Sequence, residues 1–470
     1  MRQAAVIQPV AAVAGDFADA PPGHRFNLYF PIWRHDWSPD NQGKKDAINA
    51  CSEIPPSVGT LLDALRARQQ ALFSTYPDGL NVQAVSTAPF ATGLGNEHPV
   101  ENGFAFLTPY GLPYLAGSGV KGMLRRAAEE LALFPEDYAR PDTPGLTLLD
   151  VWWLFGFEGA AGAWWTLTRK EQEKLSDEVK AGRTVLRGRF LKHCATLADR
   201  RDLPDFICRV IPKGRERTFY LEKPRAFLDA LDSRRGEIHS RGALSFWDVF
   251  PAPPHRALSV EIMTPHYTDY YQHGGTPNDA GQPNPIPFLA VPPESAFDFH
   301  VICAVHDLPE VLRDSWKSLL QSIFNHAFDW LGFGAKTAVG YGAMKRDERA
   351  EAEAEKVRAD RKQAIEAAEE SARLARERET ALAALSPVER SIQEFLDSRP
   401  DKNQPEISVV IGEVKRGRWQ GDDKIAVARW LQASMQAAKG QWKETSHAKR
   451  PEKDKEYQNT VLVKKWLAGG

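Results

Sequence analysis

The order of hydrophobic periods along the chain predicts an α+β fold of the ferredoxin-like (RRM-like) kind, with an inserted region and a helical C-terminal extension. Two stretches repeat their apolar residues at helical spacing, and the segments around them alternate at period two. The resulting order is strand, helix, two strands, helix, strand. That order stacks both helices on one face of an antiparallel sheet.

The first strand is expected near "VQAVSTAPF". In "GVKGMLRRAAEELALF", Val120, Met123, Leu124, Ala127, Ala128, Leu131 and Phe134 share one helix face. Leu244 and Phe246 suggest a strand, and Leu258, Val260 and Ile262 alternate with Ser259 and Glu261. Phe297, Phe299, Val301, Cys303 and Val305 alternate with Asp298 and His300, the pattern of a half-buried strand. In "VLRDSWKSLLQSIFNHAFDWLG", Leu312, Trp316, Leu319, Leu320, Ile323, Phe324, Phe328 and Leu331 fall on one face, and Gly332 stands where a C-cap glycine belongs. "TAVGYGAM" reads as the closing strand.

Three zones differ in composition. Residues 1–345 carry nearly all the aromatic residues, Pro and Gly and form the folded body. The charged stretch from about 160 to 240 is too long for a connection and is expected to be an insertion with helices of its own. Residues 346–386 are alanine plus charge, a charged helical linker that lacks the large apolar residues of a coiled-coil seam. Residues 387–470 regain amphipathic pattern, as in "DKIAVARWLQASMQAA", and suggest a small helical region.

Of the 470 residues, 42% are hydrophobic, enough for a sizeable core. Lys+Arg 60 against Asp+Glu 62 gives a net charge of −2, so any anion site is local or part of a larger assembly. Cys51, Cys194, Cys208 and Cys303 show no C-x-x-C spacing, which suggests neither disulfide framework nor zinc ribbon and fits a reducing, cytoplasmic setting. Gln8 and Pro9 interrupt the alanine-rich N-terminus, against an export signal. No apolar run approaches the about 20 residues of a membrane span.

Two glycine–lysine segments invite an anion. "GFGAKTAVGYG" departs from the G-x-x-x-x-G-K-[ST] nucleotide loop, because Ala335 precedes Lys336 and the loop leaves a helix instead of entering one. In "PYLAGSGVKGMLRRAAEE", Gly117, Ser118 and Gly119 open a helix whose free N–H groups and dipole attract phosphate. Lys121 sits in the first turn, where a lysine opposes the dipole, and that local cost favours a function. The plainer alternative is an N-cap serine with packing glycines. Two such stretches on one unit suit the successive phosphates of a single strand better than one mononucleotide.

In this order the two segments resemble the RAMP superfamily of CRISPR RNA-binding proteins. "PYLAGSGVKGMLR" is similar to that family's Pro-Gly-Ser-Ser-Leu-Lys-Gly-x-x-Arg helix start, with Ala116 in place of the proline and Gly119 in place of the second serine. "GFGAKTAVGYG" is similar to its glycine-rich loop before the final strand. "TGLGNEHPVENGFAF", "LFGFEG", "IMTPHYTDYY" and "PNPIPFLAV" narrow the resemblance to the type III-B (Cmr) branch, over residues 85–345 with a gap at the insertion. The resemblance implies a non-catalytic scaffold holding the 3′ part of a guide RNA, with single-stranded target RNA and other Cmr-type RAMP subunits as partners, no membrane and no cofactor. Carried onto this chain, the RNA-binding set is Gly117, Ser118, Gly119, Lys121, Arg125, His266, Tyr267, Tyr270, Gly334, Ala335, Lys336 and Thr337.

Two rival chemistries use the histidines. Some RAMP proteins cleave guide precursors with a histidine, and His98, His266 and His273 are the candidates for general acid or base. "HYTDYYQH" also brings His266, Asp269 and His273 within one short segment, but their spacing fits no regular metal-binding face. A third alternative is a subunit that only packs against other proteins.

Overall fold

The computed structural model describes residues 3–6, 17–138, 145–157, 175–231, 234, 237–264, 285–446 and 450–470. It divides into two compact units, Met1–Arg358 and Ala359–Gly470.

The first unit mixes helices with small antiparallel sheets. Its central elements are β1 (Leu80–Ser86), α1 (Gly117–Leu133), β2 (Leu244–Phe246), β3 (Ala296–Cys303), α2 (Trp316–His326) and β4 (Met344–Arg346). They form a four-stranded sheet in the order β4-β1-β3-β2, with every neighbouring pair antiparallel. The β1–β3 ladder is the longest, from Leu80 opposite Val301 to Val85 opposite Ala296.

Period-two patterning explains one face of that ladder. Val82 lies opposite Phe299 and Ala84 opposite Phe297, and all four are buried. Phe299 packs on α2 through Phe324, ring centres 5.4 Å apart, and on the following turn through Phe328, 6.0 Å. The expected stripes Val120, Leu124, Ala127, Leu131 and Leu319, Leu320, Ile323 are buried as well.

The second face departs from the expected half-buried strand. Asp298 and His300 point away from α1 and α2, yet both are buried, because the Pro56–Phe73 helix covers them. Phe73 meets His300 edge-on at 4.7 Å and Trp247 at 5.8 Å, and Gln69 Nε2 donates to the Asp248 carbonyl at 2.9 Å. Burial of Asp298 is tolerated because its carboxylate accepts from Asn81 Nδ2 at 2.5 Å and Gln83 Nε2 at 2.7 Å. Burial also pushes the pKa of His300 below the usual imidazole range, with Asp298 opposing the shift and Arg66 reinforcing it.

The strand expected at Leu258–Ile262 forms as Ser259–Met263 but pairs with Ile286–Ala290 in a separate two-stranded sheet. The closing strand is shorter than "TAVGYGAM" suggests and begins at Met344. Left-handed Lys336, Gly340 and Gly342 prevent extension before it.

The insertion supplies helices Asp177–Thr196, Leu203–Val210, Arg215–Glu222 and Pro224–Leu231. They join the body's main core: Phe206 packs on Trp152 at 5.4 Å and on Trp153 at 5.5 Å. Both tryptophans lie on the wholly buried Leu148–Phe155 helix, whose Asp150 is paired with Arg200 at 2.6 Å. The four cysteines form no disulfide among the described residues, and Cys51, Cys194 and Cys303 are buried; burial pushes the thiols of Cys51 and Cys303 up to about 12. Among the described residues, no helix is long and apolar enough to cross a membrane.

The Glu348–Ala383 helix has no buried residue. Ser386 and Glu389 form a capping box that starts the next helix, Pro387–Asp397. Helices Glu406–Lys415, Gly421–Ala437 and Lys455–Leu467 follow. They enclose the second unit's own core, which includes Leu396, Val410, Leu431, Met435 and Val463.

One polar tie joins α1 to α2. The buried carboxylate of Glu130 pairs with His326 Nε2 at 3.0 Å and with Arg126 Nε at 3.0 Å. Burial alone would raise its pKa, but the hydrogen bonds and charges of His326 and Arg126 together hold it below the ordinary 4.5. A depressed carboxylate stabilises fully above its unfolded pKa, and that contribution is lost as pH falls through the folded value. Glu130→Gln is therefore expected to cost about 1–3 kcal/mol at pH 7. In thermal denaturation of the full chain, the gap between variant and parent should narrow below pH 4.5.

Candidate nucleic-acid interface

The glycine loop is built by close approach. After α2 the chain makes a π-turn over Ala327–Leu331, closed by the Gly332 N–H donating to the Ala327 carbonyl at 2.8 Å. Phe333 N–H donates to the Gly342 carbonyl at 2.9 Å, Ala335 N–H to Ala91 at 2.7 Å and Gly342 N–H to Pro89 at 2.8 Å. A Cβ on Gly342 would lie 1.8 Å from the Phe333 oxygen, and one on Gly334 would lie 2.4 Å from the Ala91 oxygen. The loop is thus laid flat on residues 89–91, a contact that depends on Gly334, and it closes on Phe333, a contact that depends on Gly342.

Past this anchored base the loop turns outward. Lys336 takes a left-handed conformation, φ 60° and ψ 30°, and Thr337–Val339 form one 3₁₀ turn. Left-handed backbone at a lysine is unfavourable and marks a constrained position. Lys336 Nζ rests 2.8 Å from Met263 Sδ, and Tyr341 Oη donates to Glu261 at 3.3 Å, so the loop sits on the Ser259–Met263 strand. Among the described residues, no acceptor takes the Gly334 N–H.

The start of α1 is less open than the sequence suggests. The Gly117 N–H donates to the Asp248 carboxylate at 2.7 Å, and the Gly119 N–H to the Ala116 carbonyl at 2.8 Å. The anion at this helix N-terminus is a side chain of the protein itself. Gly117 is needed for packing, since a Cβ there would lie 2.3 Å from the Phe246 oxygen. Arg125 is buried and paired with Glu129 at 3.2 Å, so its charge is already matched by a carboxylate on its own helix. What faces outward at this helix start is exposed Ser118, with half-buried Lys121 a turn later.

Topology brings the two segments to one end of the sheet. β1 and β2 both run antiparallel to β3, so they end on the same side. Gly117 packs against Phe246, the last residue of β2. The glycine loop leads into β4 where Met344 pairs with Ser86, the last residue of β1. Ser118 and Lys121 therefore stand at the β2 side, and Gly334, Lys336 and Thr337 at the β1–β4 side, of one sheet end.

His266, Tyr267 and Tyr270, with His273 and Asp269, lie outside the described residues; the strand leading to them ends at Met263, beside Lys336. His98 is stacked on Phe26 at 3.8 Å, and its Nε2 lies 2.9 Å from the Phe26 carbonyl. Burial lowers its pKa, against the effect of that hydrogen bond, and it serves as a packing group. Among the described residues, no three His, Cys, Asp or Glu side chains gather into a metal cluster.

The RAMP superfamily model matches residues 85–345, more than half of the chain. The chain belongs to the RAMP superfamily. It is 27% identical over 286 residues to the CRISPR system Cmr subunit Cmr6 of Pyrococcus furiosus, covering 58% of this chain and 71% of that protein. Among solved structures, the crystal structure of Cmr6 from Pyrococcus furiosus matches at 22% identity and TM-score 0.25, covering 57% of this chain and 97% of the other. A chain of the type III-B Cmr-beta complex bound to cognate target RNA, solved by cryo-electron microscopy, matches at 15% identity and TM-score 0.34, covering 66% and 72%. The matched RAMP region begins within β1 and ends within β4, so it spans both glycine–lysine segments.

Gly342 and Gly340 separate the two demands on this RAMP loop. Gly340→Ala, whose Cβ meets nothing, bears only the cost of φ +96°, about 1–2 kcal/mol. Gly342→Ala adds a clash with the Phe333 carbonyl and should lower the thermal midpoint clearly further, with new backbone exchange at residues 89–91.

Proposed function

We propose that the protein is a non-catalytic, RNA-binding structural subunit of a type III-B CRISPR (Cmr) effector complex. In this role it holds the 3′ part of the guide RNA and helps position single-stranded target RNA, among other Cmr-type RAMP subunits, for antiviral defence. The observation that carries the reading is the placement of both glycine–lysine segments at one sheet end, in a chain related to Cmr6. The β4-β1-β3-β2 order, with α1 and α2 as its two helical connections, supports a ferredoxin-like body.

RNA-recognition motifs of similar topology stack bases on the open sheet face. Here the Pro56–Phe73 helix covers that face, so contact is assigned to the sheet end. Lys121 and Lys336 neutralise phosphates, and Ser118, the Gly334 amide and Thr337 contribute neutral hydrogen bonds. Tyr267, Tyr270 and His266, outside the described residues, complete the proposed RNA-binding set. The exposed helix within residues 346–386 then serves as a spacer to the 387–470 module.

Lys121→Ala and Lys336→Ala, each assembled into the complex, are expected to weaken RNA binding and flatten log K against log salt by about 0.7 per lost phosphate contact. Unchanged slopes in both would instead favour a subunit that only packs. Incubating purified protein with labelled precursor RNA tests the endoribonuclease alternative: the expected result is no specific product, and cleavage abolished by His266→Ala would overturn the non-catalytic role.

A further inference from the structure

The π-turn ahead of the glycine loop carries a feature the phosphate contacts leave unused. Phe328 turns into the core, while Trp330, two residues on, is 66% exposed. Exposed apolar side chains are common singly and need no explanation. An indole held in place is different. Tyr138 meets Trp330 edge-on at 5.5 Å and is itself braced edge-on against the buried His326 at 4.7 Å, so the ring is supported from behind. π-turns cost helical hydrogen-bond geometry and recur at functional positions.

The position of this ring relative to the loop narrows its occupant. Gly332 and Phe333 close on Gly342, so Trp330 stands at the foot of the loop that presents Lys336 and Thr337. Five residues lie between Trp330 and Lys336, at most about 22 Å of extended chain. A flat apolar surface at the foot of a loop that carries a cation and backbone donors matches the alternation of base and phosphate in a single strand. We infer that Trp330 is a stacking platform for an unpaired base of the RNA whose backbone Lys336 holds. The inference rests on the RNA-binding reading above and adds a residue to it that no motif identified.

Stacking and charge have different signatures, which makes the test selective. Complexes assembled with Trp330→Ala, Trp330→Phe or Lys336→Ala are titrated with labelled single-stranded guide-sequence RNA at several salt concentrations. Trp330→Ala should lower affinity about 5- to 150-fold with an unchanged salt slope, and Trp330→Phe should recover most of the loss. Lys336→Ala should flatten the slope. If Lys336→Ala does so while Trp330→Ala binds normally, the stacking role is overturned and the RNA track stands. If neither variant changes binding, the track fails with it. If Trp330→Ala no longer enters the complex although Lys336→Ala does, the ring seats against a protein neighbour and the inference is overturned.

Discussion

The loop between α2 and β4 lies on residues 89–91 and closes on itself because positions 334 and 342 carry no side chain: a Cβ on Gly334 would strike Ala91, and one on Gly342 would strike Phe333. Backbone meets backbone there, with Ala335 and Gly342 donating to Ala91 and Pro89 at 2.7 and 2.8 Å. The same contact delays β4 until Met344, drives Lys336 into a left-handed conformation and places it beside the end of the Ser259–Met263 strand. The outward part of the loop, where function is assigned, exists because its base is so tightly held.

Covering both faces of the sheet has a related consequence. One face buries Val82, Ala84, Phe297 and Phe299 among the helices, as alternation requires. The other buries a polar layer in which Asn81, Gln83 and Asp298 satisfy one another. With the sheet covered on both sides, a strand of RNA has no open platform on it, and exposed Ser118 and Gly334 lie at the end where β1 and β2 stop. The RNA contacts we propose are accordingly assigned to the edge loops and not to the face of the sheet.

Local patterning identified the elements well and their company less well. The stripes of α1 and α2 are core residues because helical periodicity reports burial directly. Period two, by contrast, reports only that two faces differ, and it read Asp298 and His300 as facing water. The covering helix comes from far earlier in the chain, and no local period encodes it. Similarly, an open helix start at Gly117 was a fair reading of glycine, serine and lysine, but Asp248, remote in sequence, supplies the anion. Arg125 was drawn inward by Glu129 one turn along its own helix, a pairing the i,i+4 spacing did offer. Trp330 carries no signal of its own in the sequence, where it is one more aromatic residue of an apolar helix.

Taken alone, the sequence determined the two amphipathic helices, the alternating β3 strand and the pair of glycine–lysine segments that mark the family, because each is a property of residues close together in the chain. Only the tertiary structure decided which polar groups remain available. Hydrogen-bond partners such as Asp248 for Gly117 and Ala91 for Ala335 arrive from distant segments, and a donor that is already satisfied inside the protein gains little from a ligand.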